Sequence, residues 1–195
     1  MNLKKLAAAT AITFGALASV PASAVILSSY TSAPGNVVTD FSTAGLASFD
    51  LDLVSTLPDT TINFTVESAD LGGPIAFNAI VRNFFGSGIS RFMLFLEDAT
   101  FAGIGSVDGT FGSVASVSGS GSVAGISFVP PEFVEFSIGD PFLNGATDWS
   151  INISNLSAGD TFSLRLAVPE PGSLPLFLVA GLGMAALLRR RASRN

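Results

Sequence analysis

The chain has 195 residues, with no His and no Cys. Serine triads, thiolate nucleophiles, disulfides and His-based zinc sites are therefore excluded. Carboxylates, hydroxyls and a few arginines remain. A glycosidase needs only two carboxylates across a groove. Glu132 and Glu135 in "PPEFVEF", and Asp50 and Asp52 in "SFDLDLVS", are the candidate pairs. On a strand, Asp50 and Asp52 share one face, in solvent, if Phe49, Leu51 and Leu53 fill the other. Glu132 and Glu135 adjoin a Pro-Pro turn, and a spacing of three puts them on opposite faces of a straight strand. Neither pair is arranged for acid–base work, and no enzymatic activity is expected.

Calcium is the one metal these residue types admit. Asp59, Asp70, Asp98, Asp108, Asp140, Asp148 and Asp160 all fall in loop-like stretches and could converge at one end of a β domain. No stretch has the D-x-D-x-D-G spacing that strings oxygen ligands along one loop, and Asp108-Gly109 reads more simply as a hairpin turn. No cofactor is expected beyond this calcium option. For sugar binding, Asp148 and Trp149 are the candidate ligand platform, one aromatic ring beside an acid. The competing reading makes Trp149 a core residue at the rim, its N–H satisfied by a loop carbonyl.

The elements that must position these groups are strands. "SFDLDLVS", "TINFTVES", "SRFMLFLED", "EFVEFSIG", "DWSINIS" and "DTFSLRLAV" place apolar residues at every second position. Such alternation sets one face on a core and the other in water, as in an antiparallel sheet. Gly, Pro, Asn and Asp clusters such as "SAPGN", "LPDT", "LGGP" and "FGSG" punctuate the runs. No long segment has a 3.6-residue apolar stripe. The Gly/Ser-rich residues 103–125 still carry Val107, Phe111, Val114, Val117 and Val123, and read as short strands with a mobile turn near Ser118–Ser122. The fold class is all-β, an antiparallel β-sandwich or jelly-roll-like domain over residues 25–168.

Charge is divided along the chain. Residues 25–168 keep only Arg82, Arg91 and Arg165 against 14 acids, a net of −11. Nucleic acid is excluded as a partner, because phosphate binding needs a basic patch. The remaining basic residues lie at the two ends, each beside an apolar run. Residues 1–24 read as a signal peptide. Lys4 and Lys5 precede 15 uncharged residues, Leu6–Val20, and Ala22-Ser23-Ala24 forms a small-x-small cleavage site for signal peptidase before Val25.

At the other end, Val168-Pro169-Glu170-Pro171 closes the last strand. Neither proline donates a hydrogen bond, and each biases its predecessor toward extended geometry. Gly172–Leu188 then gives 17 residues without a charge. As a helix they would span about 26 Å, just under a hydrocarbon core of about 30 Å. Arg189, Arg190, Arg191 and Arg194 follow as a cytoplasmic stop, which leaves residues 25–168 outside.

This tripartite end, over residues 169–195 and behind a signal peptide, resembles the PEP-CTERM sorting segment of exported Gram-negative proteins, a segment also known as an ice-binding-protein C-terminal domain. Ser or Thr often follows the motif directly; here Gly172 precedes Ser173. The resemblance implies recognition by an exosortase, a transient stay in the inner membrane, cleavage near the Pro-Glu-Pro, and delivery to the cell surface or extracellular polysaccharide matrix. A structural or adhesive role in biofilm or exopolysaccharide is then expected. The alternative is a carbohydrate-binding module. Ice binding would need a flat array of regularly spaced Thr, and the sequence has none.

Overall fold

The computed structural model describes residues 25–169. Over these residues the chain is all-β, with one short 3₁₀ turn at Ser68–Asp70. In chain order the strands are β1 (Ile26–Thr31), β2 (Val37–Asp40), β3 (Leu46–Leu53), β4 (Thr60–Thr65), β5 (Ile75–Asn83), β6 (Ile89–Glu97), β7 (Thr100–Gly103), β8 (Val107–Gly109), β9 (Val114–Ser120), β10 (Val123–Glu132), β11 (Glu135–Ile138), β12 (Trp149–Asn152) and β13 (Thr161–Ala167). The signal-peptide and membrane-helix expectations fall outside the described residues. No helix among the described residues is long and apolar enough to cross a membrane.

Two sheets form. One has six antiparallel strands in the order β1-β4-β13-β6-β10-β9. The other has seven, with the path β2-β3-β5-β11-β8 and with β12 joining β5 to β7. On one edge of β5, Ile75–Phe77 pair with β12 and Ala79–Arg82 with β11. β11 and β12 thus behave as one strand interrupted by residues 139–148, and β8 and β7 as its equally interrupted neighbour.

The sheets pack face to face through the residues that alternation assigned to the core. Phe49, Leu51, Ile62, Phe64, Phe92, Leu94, Phe136, Phe162 and Leu164 are fully buried. Aromatic rings join the layers: Phe49 to Phe64 at 6.4 Å between centroids, Phe92 to Phe136 at 5.1 Å and Phe128 to Phe136 at 5.0 Å. A buried Phe is the largest regular apolar side chain these strands carry, so the Phe-rich composition becomes the filling of the sandwich.

Four expectations are corrected. The sandwich is not wholly antiparallel, because β3 and β5 run parallel from Leu46↔Ala76 to Leu53↔Asn83. β4 crosses to the other sheet between them, which supplies the connection a parallel pair requires. Pro130-Pro131 makes no turn between strands; both lie inside β10, where its register against β6 jumps between Ser127 and Glu132. A bulge tolerates residues that lack an N–H, since no ladder bond is needed there. Asp108-Gly109 is likewise not a turn but part of β8, pairing with Ser137 and Phe136. Residues 103–125 give longer strands than expected, β9 with seven residues and β10 with ten, reversing tightly at Gly121-Ser122. Gly121 has φ of 58°, the left-handed conformation such a two-residue turn demands.

Candidate functional site

The chain leaves the sandwich from the middle of a sheet. β13 lies between β4 and β6, with Leu166 opposite Thr60 and Leu94, and Ala167 opposite Met93. Val168 still packs against the core, and Pro169 is exposed. A proline offers no N–H to extend the ladder, so pairing stops there. No linker separates the last core residue from the Pro-Glu-Pro stretch. Glu170, Pro171, the arginines 189–191 and 194, and the cleavage residues Ala22 and Ala24 lie outside the described residues. Val25, the expected first residue after cleavage, is buried in the core.

The carboxylates proposed from sequence are engaged structurally. Arg82 on β5 bonds Asp50 through Nη2 at 2.6 Å and Asp52 through Nη1 at 3.1 Å, both on the neighbouring β3, and lies 3.5 Å from Glu135 on β11. The Asp50 and Asp52 bonds raise the Arg82 pKa further, against a smaller opposing effect of burial. Asp50 and Asp52 do share the outer face of β3, and their partner is this arginine, not a substrate groove.

Glu132 departs from its expected surface place: it is completely buried. Its Oε2 accepts the N–H of Phe111 at 2.8 Å and of Gly112 at 2.7 Å, and its Oε1 the N–H of Val134 at 2.7 Å. Burial pushes its pKa up, but the backbone donors together outweigh that and hold it below the ordinary value. Two glycines make room. A Cβ on Gly109 would sit 2.8 Å from Glu132 Oε2, and one on Gly112 would sit 2.8 Å from the Pro130 carbonyl. An acid between two prolines and a phenylalanine, facing Gly-x-x-Gly twenty residues earlier, was the only sequence signal for this node.

The loop acids do not converge. Asp140 accepts the N–H of Asn144 and Gly145, Asp148 that of Asp140, Asp70 those of Gly45 and Glu67, and Asp160 that of Ser157. Among the described residues no group of three or more acids is placed to hold a metal ion. Each of these loop acids serves as a local cap, which fits the known habit of Asp in turns.

Trp149 is buried with no exposed area, and its Nε1 donates to the Ser106 carbonyl at 3.0 Å. Phe77 and Phe101 meet it edge-on at 6.2 and 5.6 Å. The Asp148–Trp149 platform is therefore corrected: a ring closed in by two others offers no face for a sugar. One shallow depression is lined by Phe95, Glu97, Ser163 and Arg165. There the Arg165 guanidinium lies 3.9 Å from the centre of the Phe95 ring and bonds Asp59 at 2.7 Å, so its charge is already spent.

Fold and chain end together define a β domain that runs into a processing segment. Residues 167–192 match the PEP-CTERM protein-sorting motif, so the chain carries a PEP-CTERM sorting segment. The motif indicates exosortase-dependent sorting to the cell surface. No match to a curated protein or to a solved structure was found.

Proposed function

We propose that the sandwich, residues 25–168, is the lasting product, with a structural or adhesive role at the cell surface or in extracellular polysaccharide. One observation carries this reading. The sorting motif begins at Ala167, the final residue of a strand in the middle of a sheet. Cleavage near the Pro-Glu-Pro therefore removes nothing the core uses. The engaged carboxylates argue for a role without catalysis. The net of −11 keeps the domain soluble, and divalent cations could bridge it to anionic polymers. Signal peptidase and exosortase are its processing partners in this reading.

Fractionation of a Gram-negative strain that has an exosortase tests the proposal. The domain should be found in the surface or matrix fraction. Replacing Pro169, Glu170 and Pro171 by Ala should leave it in the inner membrane. Equal surface delivery by the triple variant would refute the role given to the motif. Unchanged matrix cohesion after deletion of the protein would refute the structural role.

A further inference from the structure

We propose that the end of the sandwich from which Pro169 emerges is a docking face for a lipid bilayer surface, used while the sorting segment is still attached. This rests on the reading that residues 172–188 sit in the membrane.

The connections define that end. β3 runs into β4, β5 into β6, β8 into β9 and β10 into β11 there, beside the C-terminus of β13. The four connections expose Leu57, Phe84, Phe111, Val129, Phe133 and Val134, each between 49% and 70% exposed. Phe111 and Phe133 meet edge to face at 5.4 Å, so the rim holds a built aromatic pair and not scattered residues. Residues 54–59, 84–88, 110–113 and 129–134 contain two charges: Glu132, which is buried, and Asp59, which is paired with Arg165 at 2.7 Å. An apolar rim whose one exposed acid is paired with an arginine can enter the interfacial zone, where aromatic rings are favoured, at little cost in ion desolvation.

The opposite end is different in kind. Its loops and strand ends carry Glu67, Glu97, Asp98 and Asp160 and no basic residue. It too exposes apolar residues, Phe41 and Leu71, but these directly follow Asp40 and Asp70. The three arginines of the domain all stand near the exit end: Arg82 next to last in β5, Arg91 third in β6, Arg165 third from last in β13. Arg82 and Arg165 pair there with Asp52, Glu135 and Asp59, so an anionic membrane surface would repel the far end more strongly than the near one.

The tether fixes the occupant. Gly172 follows Val168 by four residues, which reach at most about 14 Å when extended. A span that begins there holds the rim at the headgroup layer, whereas a second copy or a soluble partner gains no such proximity.

The absence of cysteine allows a direct test. A fluorophore is placed by Ser87→Cys at the rim or Ser157→Cys at the far end. The chain is taken with its tail from a host without exosortase and reconstituted in phosphatidylethanolamine–phosphatidylglycerol vesicles that contain headgroup-region spin-labelled lipid. Several-fold stronger quenching of the rim label is expected. Phe84→Ser with Phe133→Ser should reduce it to near the far-end value, while Phe41→Ser with Leu71→Ser should not. All variants should keep the parent's unfolding midpoint to within a few degrees, since these side chains are exposed. Rim quenching unaltered by the Phe84/Phe133 double substitution would overturn the proposal, as the tether alone would then explain it. A crosslinkable dimer that shields the rim label would also overturn it. Release of the chain by an alkaline wash would overturn the membrane-spanning reading and this proposal together; retention with equal quenching would overturn the docking face alone.

Discussion

Glu132 is the residue on which two connections at one end of the sandwich depend. Its carboxylate gathers N–H groups from the β8–β9 and β10–β11 connections. Hydrogen bonds to a buried charge are worth more than neutral ones, and an amide in its place must turn an NH₂ toward a backbone donor. Glu132→Gln should cost about 2 kcal/mol at pH 7 in denaturant unfolding. The pH dependence follows from the lowered pKa. The unfolded carboxyl takes a proton near pH 4.3 and the folded one only below that, so the stabilisation is complete above this range and lost as pH falls through the folded value. The gap between wild type and Glu132→Gln should narrow as pH drops below about 4. A gap that stays constant from pH 7 to 3 would contradict the assignment. Little of this was legible in advance, because an acid beside prolines looks like surface. Trp149 was legible only as a choice between platform and rim, and its bond to Ser106 decides for the latter.

At the scale of elements, period-two alternation placed the core of β3, β4, β6, β11, β12 and β13 correctly, since each has one face in water. β5 escaped notice because seven of its nine residues are buried, which erases alternation. Ile80 on its outer face is covered beside Phe142 and Asn144 of the 139–148 loop. The parallel pairing of β3 and β5 was equally invisible, as strand direction depends on connections and not on local pattern. That pairing is what sets Arg82 between Asp52 and Glu135 in one cross-strand row. The arginine is about one-third exposed, so solvent screens the cluster. Arg82→Ala should destabilise the fold by about 1 kcal/mol at low salt. It leaves three acids in proximity, so added salt should shrink the loss. A deficit that does not change between 50 mM and 1 M salt would mean that the alkyl stem, not the charge, supplies the stability.

At the scale of the whole molecule, the domain is polarised. One end carries buried Glu132, the apolar rim, the arginines with the acids they pair and the exit to the sorting segment; the other carries acids and no basic residue. The address was readable from residues 168–195 because Pro-Glu-Pro, an uncharged stretch and an arginine cluster each have a physical purpose in sequence order. The polarity of the sandwich was not readable, since it arises only when the connections are brought to one end. Among the described residues the core extends to Val168, which the proposed cleavage near the Pro-Glu-Pro leaves in place. Intact mass of the protein recovered from the surface of an exosortase-bearing strain tests this most directly. The expected product runs from Val25 to a terminus between Val168 and Gly172, with or without an attached group. Recovery of a chain that still carries residues 172–195 would contradict it.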